Sequence, residues 1–222
     1  MQGMKLLQTQ PSLVEQAHEA ILAEIASGKL AAGTRIIQEQ LAQQLGVSRQ
    51  PIQQALTLLR NQGVLQEAPG RGLLVAALDL EQVRHMYEVR SVIEGLAFRN
   101  AAEKNAEQAK AMGPALLKAG RKAAASGSVR AMIAADMDFH NAIYTLSGNP
   151  LISPNMQAHW TNTQRVMGEV LMRDDKPRDV WDQHEALLDA VAAGDGARAE
   201  KLARKHIMDA AEFMIRRLQA GR

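Results

Sequence analysis

The stretch 41–56, LAQQLGVSRQPIQQAL, constrains the fold more than any other part of the sequence. Leu41, Ala42 and Leu45 share one face of a short helix. Gly46 can leave that helix with φ > 0, and Ser48 can cap a second helix. The second helix would bury Ile52, Ala55, Leu56 and Leu59 and expose Arg49, Gln50, Gln53 and Gln54. This pattern predicts a helix-turn-helix, because an exposed row of hydrogen-bonding side chains is what reading a DNA major groove requires.

The flanking segments extend this motif into a small domain. Residues 1–11 form an arm, and Ser12 can cap a helix that precedes the helix-turn-helix. After it, two short apolar runs, 64–66 and 73–75, flank a Pro/Gly turn and predict a β-hairpin. Such a hairpin is a wing, and Arg71 at its tip could reach a phosphate or the minor groove. We therefore place a winged helix-turn-helix in residues 1–78.

From residue 79 onward the pattern is helical throughout. The predicted helices span 80–105, 107–126, 129–147, 151–172, 178–193 and 197–219. Gly113-Pro114 is expected to kink or break the second of them. Short connections favour a six-helix antiparallel bundle in residues 79–222. The predicted fold class is therefore mainly α, with an N-terminal winged helix-turn-helix followed by this all-α bundle.

Composition limits the function classes. Hydrophobic residues make up 46% of the chain but aromatic residues only 3%, so aliphatic side chains and Met must fill the core. The net charge of +2 does not identify a nucleic-acid partner by itself. Because the chain has no Cys, disulfides and thiolate metal sites are excluded. No apolar run is long enough to span a membrane and residues 1–9 lack a signal-peptide core, so we expect a cytoplasmic protein without a membrane partner.

One carboxylate and three imidazoles on the predicted bundle helices form a candidate metal site. Asp136 and His140 are four residues apart and share one helix face, while His184 and His206 lie on the last two helices. Facing inward, they could surround a divalent cation, with Zn²⁺ favoured and Ni²⁺, Mn²⁺ or Fe²⁺ possible. The spacing alone favours surface or hydrogen-bonded core histidines over a metal site, so both interpretations stay open at this point.

Several motifs of the N-terminal third occur in a specific order: GKLAAG at 28–33, LA at 41–42, GVSRQPI at 46–52, AL at 55–56, Leu59, Gly63 and RG at 71–72. In this order they resemble the winged helix of the GntR family of bacterial repressors. The resemblance implies DNA contact by Ser48, Arg49, Gln50, Gln53, Arg71 and Gly72, with Glu39 facing the duplex. Gln53-Gln54 stands where the family usually has Arg-Glu. This departure favours adenine over guanine at the base that Gln53 reads.

The helical part carries a second set of motifs: YEVR at 87–90 with Glu94, DxxFH at 136–140, SGN at 147–149, His184 with Leu187, Leu188 and Ala190, Gly194-Asp195, Ala199 and His206. Over most of residues 80–215 they resemble the FadR C-terminal (FCD) effector domain. The resemblance implies a metal held by Asp136, His140, His184 and His206 at the bottom of a pocket. It also implies a small carboxylate or sugar-acid effector and dimerisation through the bundle.

Two arginines are candidates for binding the effector. Arg90 is the better placed guanidinium to clamp a carboxylate bidentately. Its structural alternative is an ion pair with Glu94, four residues later. Arg165 is a second candidate, for which a solvated helix face is the favoured interpretation.

These features predict a ligand-responsive transcription regulator and not an enzyme. It would bind a near-palindromic operator as a homodimer, because one recognition helix reads only a few base pairs. Repression rather than activation follows the habit of the family, as does a place at the bacterial nucleoid. Two alternatives remain. One is a regulator for which the metal itself is the signal. The other is a metal-dependent hydrolase, for which the sequence offers neither a general base beside the site nor a nucleophile motif.

Overall fold

The computed structural model describes residues 11–172 and 180–220. The described residues form two compact units, one containing 11–25 and 30–76 and the other containing 26–29, 77–172 and 180–220. The predicted domain boundary after residue 78 lies close to residue 77, where the main part of the second unit begins. The expected arm, residues 1–10, and the expected start of a helix at Arg178 lie outside the described residues.

The first unit contains three helices and a small sheet: α1 (Leu13–Ala26), β1 (Arg35–Ile36), α2 (Gln38–Leu45), α3 (Arg49–Asn61), β2 (Leu65–Glu67) and β3 (Leu73–Val75). The central strand β3 pairs antiparallel with both β2 and β1. The predicted hairpin is therefore present. Residues 35–36, expected only as part of an extended connection, add a third strand. Ile21, Ile52 and Leu59 are fully buried where the helices meet the sheet.

The helix ends of this unit follow from local sequence. At α1 the Glu15 N–H donates to Ser12 Oγ (3.2 Å) while Glu15 Oε2 accepts from the Ser12 N–H (2.7 Å), which is a capping box. Gly46 ends α2 with φ 65°, as predicted, because a left-handed conformation at that point suits glycine. Ser48 occupies the cap position of α3 but makes no side-chain capping hydrogen bond. The predicted cap by Ser48 is wrong in that respect.

The second unit is a helical bundle: α4 (Leu80–Ala125), α5 (Val129–Leu146), α6 (Ile152–Leu171), α7 (Trp181–Ala192) and α8 (Gly196–Ala220). The long helix α4 is central and packs against α5, α7 and α8. Its backbone is non-helical at Asn105 (φ −138°, ψ 36°), where the side-chain amide donates to Leu146 O at 2.7 Å. The predicted break between residues 105 and 107 is thus present, and the mainly α fold class is confirmed.

The break that was the alternative to a kink at Gly113-Pro114 is not present. Pro114 lies inside α4, and the backbone there is helical. Proline removes one helical N–H, yet Pro114 is exposed, so water can serve the carbonyl that loses its partner. Among the described residues, no helix is both long and apolar enough to cross a membrane.

Candidate DNA-binding surface and metal centre

Helix α3 has one buried face and one polar face. Ile52, Ala55 and Leu59 are completely buried, which fixes the rotation of the helix. Arg49, Gln50, Gln53 and Ser48 are exposed on or beside the opposite face. Long donor and acceptor side chains on an anchored helix suit contact with base edges.

Glu39 on α2 and Arg49 on α3 lie together at the start of this face. They form an ion pair in which both side chains are well exposed, and Gln38 Nε2 donates to Arg49 O at 2.9 Å. An exposed pair of this kind contributes little to stability. Arg49 can therefore exchange Glu39 for a phosphate or a base at low cost, while Glu39 stays close to the same point.

The wing places Arg71 and Gly72 at an exposed tip. The Ala68 N–H donates to Gly72 O at 3.0 Å and closes the turn, and the Arg35 guanidinium donates to Arg71 O. Gly70 and Gly72 have φ near 93°, which only glycine adopts easily. A groove of about 370 Å³ has Gln53 on one wall and Arg71 and Gly72 on another. The structure thus brings one predicted helix contact, Gln53, to the same groove as the two predicted wing contacts.

The three histidines of the candidate metal site converge in the bundle. His140 comes from α5, His184 from α7 and His206 from α8, and one nitrogen of each lies within 4.8 Å of the others. The Nε2 atoms of His184 and His206 are 3.3 Å apart. Asp136 Oδ1 lies 3.6 Å from His184 Nε2, and its Oδ2 lies 4.0 Å from His140 Nε2. All four predicted ligand positions therefore meet in a single buried cluster.

Two of these imidazoles are oriented by partners behind them. His140 Nδ1 lies 2.5 Å from Glu94 Oε2, and His206 Nδ1 lies 2.9 Å from Gln183 Oε1. A carboxylate oxygen and an amide oxygen behind the two Nδ1 atoms favour a proton there, and each Nε2 would then present a lone pair to the cluster. His184 stacks on Phe139 with ring centroids 4.1 Å apart. Converging lone pairs held from behind are the donor arrangement that a divalent cation requires, so the residues fit a metal.

The electrostatics of the cluster keep its ligands in usable forms. Burial, and then the neighbouring His206 and His140, hold the pKa of His184 well below its ordinary value, so the ring is neutral. Burial acts to raise the pKa of Glu94, but His140 and Arg90 outweigh it, and the net shift is downward. Burial raises the pKa of Asp136. A bound cation would oppose that shift, because ligation requires the ionised carboxylate.

A cavity of about 450 Å³ opens beside the cluster, and Asp136, His140 and His206 form part of its wall. Arg90 also lines it. The Arg90 Nε and Nη2 donate to Glu94 Oε1 at 2.9 and 2.7 Å, Nη1 donates to Thr163 Oγ1 at 3.0 Å, and the guanidinium lies 4.8 Å from the Trp160 ring centroid. The ion pair offered above as the alternative for Arg90 is thus present. The contact of Arg90 with an effector stays a prediction.

Arg165 lies elsewhere on the bundle. It is buried, so the interpretation as a solvated helix face is wrong. It lines a different cavity of about 340 Å³, together with Leu78 and His159. The structure therefore does not bring Arg165 together with the metal cluster, and its role with an effector remains untested.

Two family models match this chain in succession. The model for bacterial regulatory proteins of the gntR family matches residues 13–75, and the FCD domain model matches residues 85–209. The chain belongs to the GntR family. It is a DNA-binding transcriptional regulator with an FCD effector domain, so the predicted absence of enzymatic function is confirmed and the hydrolase alternative is wrong.

Individual relatives agree with this assignment. The protein named "Probable D-xylose utilization operon transcriptional repressor" of Paenarthrobacter nicotinovorans is 27% identical over 203 residues, which cover 90% of this chain and 87% of the relative. McbR of Escherichia coli K12 is 28% identical over 149 residues, 67% of each chain. The solved structure of E. coli McbR/YncC matches with a TM-score of 0.79 at 24% identity, over 92% of this chain and 98% of that chain. At that identity the likeness shows the fold alone.

Two members of the site were not assigned their positions by sequence reasoning. Glu94 was considered only as a partner of Arg90, yet its other oxygen contacts His140. Gln183 was not considered, yet it holds His206. Helical spacing indicates which residues share one helix, whereas both contacts join different helices. No signal in one sequence could have indicated them.

Proposed function

We propose that this GntR regulator is a repressor that binds a near-palindromic operator as a homodimer. In this proposal a small carboxylate effector modulates DNA binding from a metal site formed by Asp136, His140, His184 and His206. The observation that carries the proposal is the buried histidine cluster in the wall of a 450 Å³ cavity.

The residues around the cluster have separate roles in this proposal. The three imidazoles and Asp136 hold the cation, and Glu94 and Gln183 fix the rings of His140 and His206 from behind. A bound divalent cation with an open position can take a carboxylate oxygen directly. Arg90 lines the same cavity and keeps its positive charge through Glu94, which supports a contact with that carboxylate.

An apolar stripe on α4 supports the homodimer. Val89, Val92 and Leu96 are spaced three and four residues apart, so they share one helix face, and all three are exposed. We assign this face to a second copy of the chain, since a two-fold operator needs two identical winged helices. Effector binding need change operator affinity by only about 1–3 kcal/mol of coupling to give a 5–150-fold response.

The proposal of repression rests on the name of a relative. The P. nicotinovorans relative is named as the probable repressor of a D-xylose utilization operon. That name supports the sign of regulation. It does not supply the effector, because 27% identity leaves the cavity wall open to change.

A pair of variants tests the proposal by separating its two halves. Arg49→Ala should weaken operator binding by about 1–3 kcal/mol if Arg49 contacts a base, and should leave bound metal unchanged. His206→Ala should lose the metal and the effector response, and should keep the winged helix folded. Mobility shifts on the DNA upstream of the gene and elemental analysis measure the two properties. Full metal content in His206→Ala would mean that the ligand set is wrong.

The same assay distinguishes a regulator for which the cation is the signal. Three helices, α5, α7 and α8, contribute to the cluster, so a cation would link them. If operator affinity follows metal occupancy and no organic acid changes it, the metal-responsive alternative is correct. If metal-loaded protein responds to carboxylates, the effector proposal is supported.

A further inference from the structure

The wall of the 450 Å³ cavity is divided by polarity. Its polar members contact one another: Arg90 donates to Thr163, the Arg90 guanidinium lies 5.0 Å from the Tyr87 ring centroid, and His206 lies beside Gln183. Asp136 and His140 belong to the same group. Much of the remaining wall is apolar, with Met132, Met167, Leu171, Ile207, Phe213 and Met214 among its members. One end of a ligand therefore meets ligating and charged groups, and the other end meets Met and aliphatic side chains.

The apolar wall penalises hydroxyl groups. Met167, Ile207 and Met214 belong to a continuous apolar cluster, against which Leu171 and Phe213 also pack. A ligand hydroxyl placed against this surface would lose its water without gaining a partner. Each such loss lowers affinity about fivefold or more. A sugar acid carries hydroxyls along its whole length, so it fits this wall poorly.

The charges of the polar end restrict the ligand further. Arg90 and Glu94 form a buried pair that is neutral overall. Asp136 would cancel one of the two charges of a divalent cation, and ligating imidazoles are neutral. A single positive charge remains, which one carboxylate neutralises. A second carboxylate would lie in the apolar part without a counter-charge.

Arg121 does not supply that counter-charge. It lines the cavity, but Nη1 donates to Asp182 Oδ1 at 3.0 Å and Nη2 donates to Glu185 Oε2 at 2.8 Å. Two acidic groups thus already face this one cation. Among the described residues of the cavity wall, the arginines Arg90 and Arg121 are both held by acidic side chains.

We propose that the effector is a monocarboxylate with an apolar tail, and that sugar acids and dicarboxylates are rejected. The inference rests on the proposed function, because the carboxylate is placed on the metal end. It narrows the effector from small carboxylates and sugar acids to one chemical class. The tail lies along Met132, Met214 and Phe213, where each methylene leaves water for an apolar contact.

Calorimetric titration of the zinc-loaded full chain tests the class directly. Butanoate, hexanoate and octanoate form a series in which only tail length changes, and affinity should rise about fourfold per methylene. Gluconate matches hexanoate in carbon number but adds hydroxyls, and adipate adds a second carboxylate. Both should bind more than tenfold more weakly than hexanoate.

Variants place the tail within the cavity. Met214→Gln keeps the length of the side chain and adds an amide, so the gain between hexanoate and octanoate should shrink. Met132→Gln, at a half-buried position, makes the same test with less risk to folding. Leu151→Gln is the matched control, because Leu151 is exposed and does not belong to the cavity wall. The control should keep the full dependence on tail length.

Three outcomes overturn the inference, and they differ in what else they affect. Gluconate or adipate binding as tightly as hexanoate would contradict the monocarboxylate class and keep the proposed function. If no alkanoate binds while metal content and operator binding are intact, the monocarboxylate class is likewise contradicted and the proposed function is kept. If the chain holds no metal and shows no operator response to any acid, the proposed function fails together with the inference.

Discussion

Glu94 links two features of the site through its two carboxylate oxygens. Oε1 accepts from Arg90 at 2.7 and 2.9 Å, and Oε2 lies 2.5 Å from His140 Nδ1. The side chain is 0% exposed, so neither contact competes with water. One buried carboxylate therefore neutralises a guanidinium and favours the Nδ1–H tautomer of a candidate metal ligand. Its loss should affect stability and metal binding together.

Replacing Glu94 by Gln tests this double role. The variant keeps the shape but leaves Arg90 buried without its counter-charge, so the bundle should lose about 3 kcal/mol of unfolding free energy. Zinc affinity should fall about 10–100-fold, because His140 loses its orienting carboxylate. Urea unfolding followed by tryptophan fluorescence reports on the bundle, since both tryptophans, Trp160 and Trp181, lie in it.

Glu212→Gln is the control for that experiment. Glu212 also pairs with an arginine four residues away, Arg216, but its side chain is 62% exposed. The same substitution there should leave stability and zinc affinity close to those of the unchanged chain. Equal losses in both variants would show that burial of the Glu94 pair has no special effect.

The neutral state of His184 should make the metal-free bundle sensitive to acid. The folded-state pKa of His184 lies well below its ordinary value of 6.5 because the ring is buried beside two other imidazoles. Below pH 6.5 the unfolded chain binds a proton that the folded chain refuses, so stability falls as the pH is lowered. In chelator-treated protein the loss between pH 7.5 and 5.5 should approach about 1.4 kcal/mol. In His184→Gln this part of the pH dependence should disappear.

Helix α4 depends on glycine where α7 approaches it. A Cβ on Gly120 would lie 2.1 Å from Trp181 Cη2, well inside contact distance. Gly120→Ala must therefore displace Trp181, which forms part of the cavity wall. The Trp181 ring packs edge-on against the ring of His184, with centroids 4.6 Å apart. We expect about 1–3 kcal/mol of destabilisation and a red shift of the fluorescence emission.

Gly113 on the same helix provides the matched control. A Cβ there would meet Leu188 Cδ1 at 3.5 Å, an ordinary contact. In Gly113→Ala the gain in helix propensity is opposed by contact of the new Cβ with the ring of Pro114, so stability should change by less than about 1 kcal/mol. Destabilisation of similar size in both variants would mean that the effect of Gly120→Ala does not come from the clash with Trp181.

The elements were predictable where local chemistry decides them. The Gly46 turn, the helix cap at Ser12 and the hairpin around Ala68 each depend on neighbours in sequence, and all three are present. The strand at Arg35 was not predicted, since a strand of two residues exists only through its pairing with β3. Pro114 does not break α4. Its helix-breaking tendency gives way where the ring is exposed and the surrounding helix is anchored by packing.

The candidate site was predictable only in part. The spacing of Asp136 and His140 puts them on one face, and the resemblance to the FCD domain supplied the two other histidines. The contacts that orient the rings, from Glu94 and Gln183, join different helices and depend on the tertiary packing of the bundle. The fate of Arg90 was open for the same reason. Helical spacing allowed Arg90 either an ion pair with Glu94 or a contact with a ligand. In the structure both side chains are buried and form the ion pair.

For the molecule as a whole, the small net charge bears on how DNA is bound. At +2 the chain has little long-range attraction for a polyanion, so a single winged helix should bind weakly. When two winged helices are held in one dimer, binding of the second to DNA becomes an intramolecular event. Operator affinity should therefore depend strongly on dimerisation, and the exposed stripe of Val89, Val92 and Leu96 is the face we assign to it.

Val92→Lys tests this dependence. Val92 is 53% exposed, so a lysine costs the monomer little, whereas in a dimer two lysines would face an apolar surface near the two-fold axis. We expect a dimer for the unchanged chain and a monomer for the variant in sedimentation velocity. Affinity for a two-fold operator should fall about a hundredfold or more, while affinity for one half-site should be unchanged. Leu151→Lys, at an exposed apolar residue outside the stripe, should remain dimeric. A dimeric Val92→Lys protein with full operator affinity would show that the subunits meet through another face of the bundle.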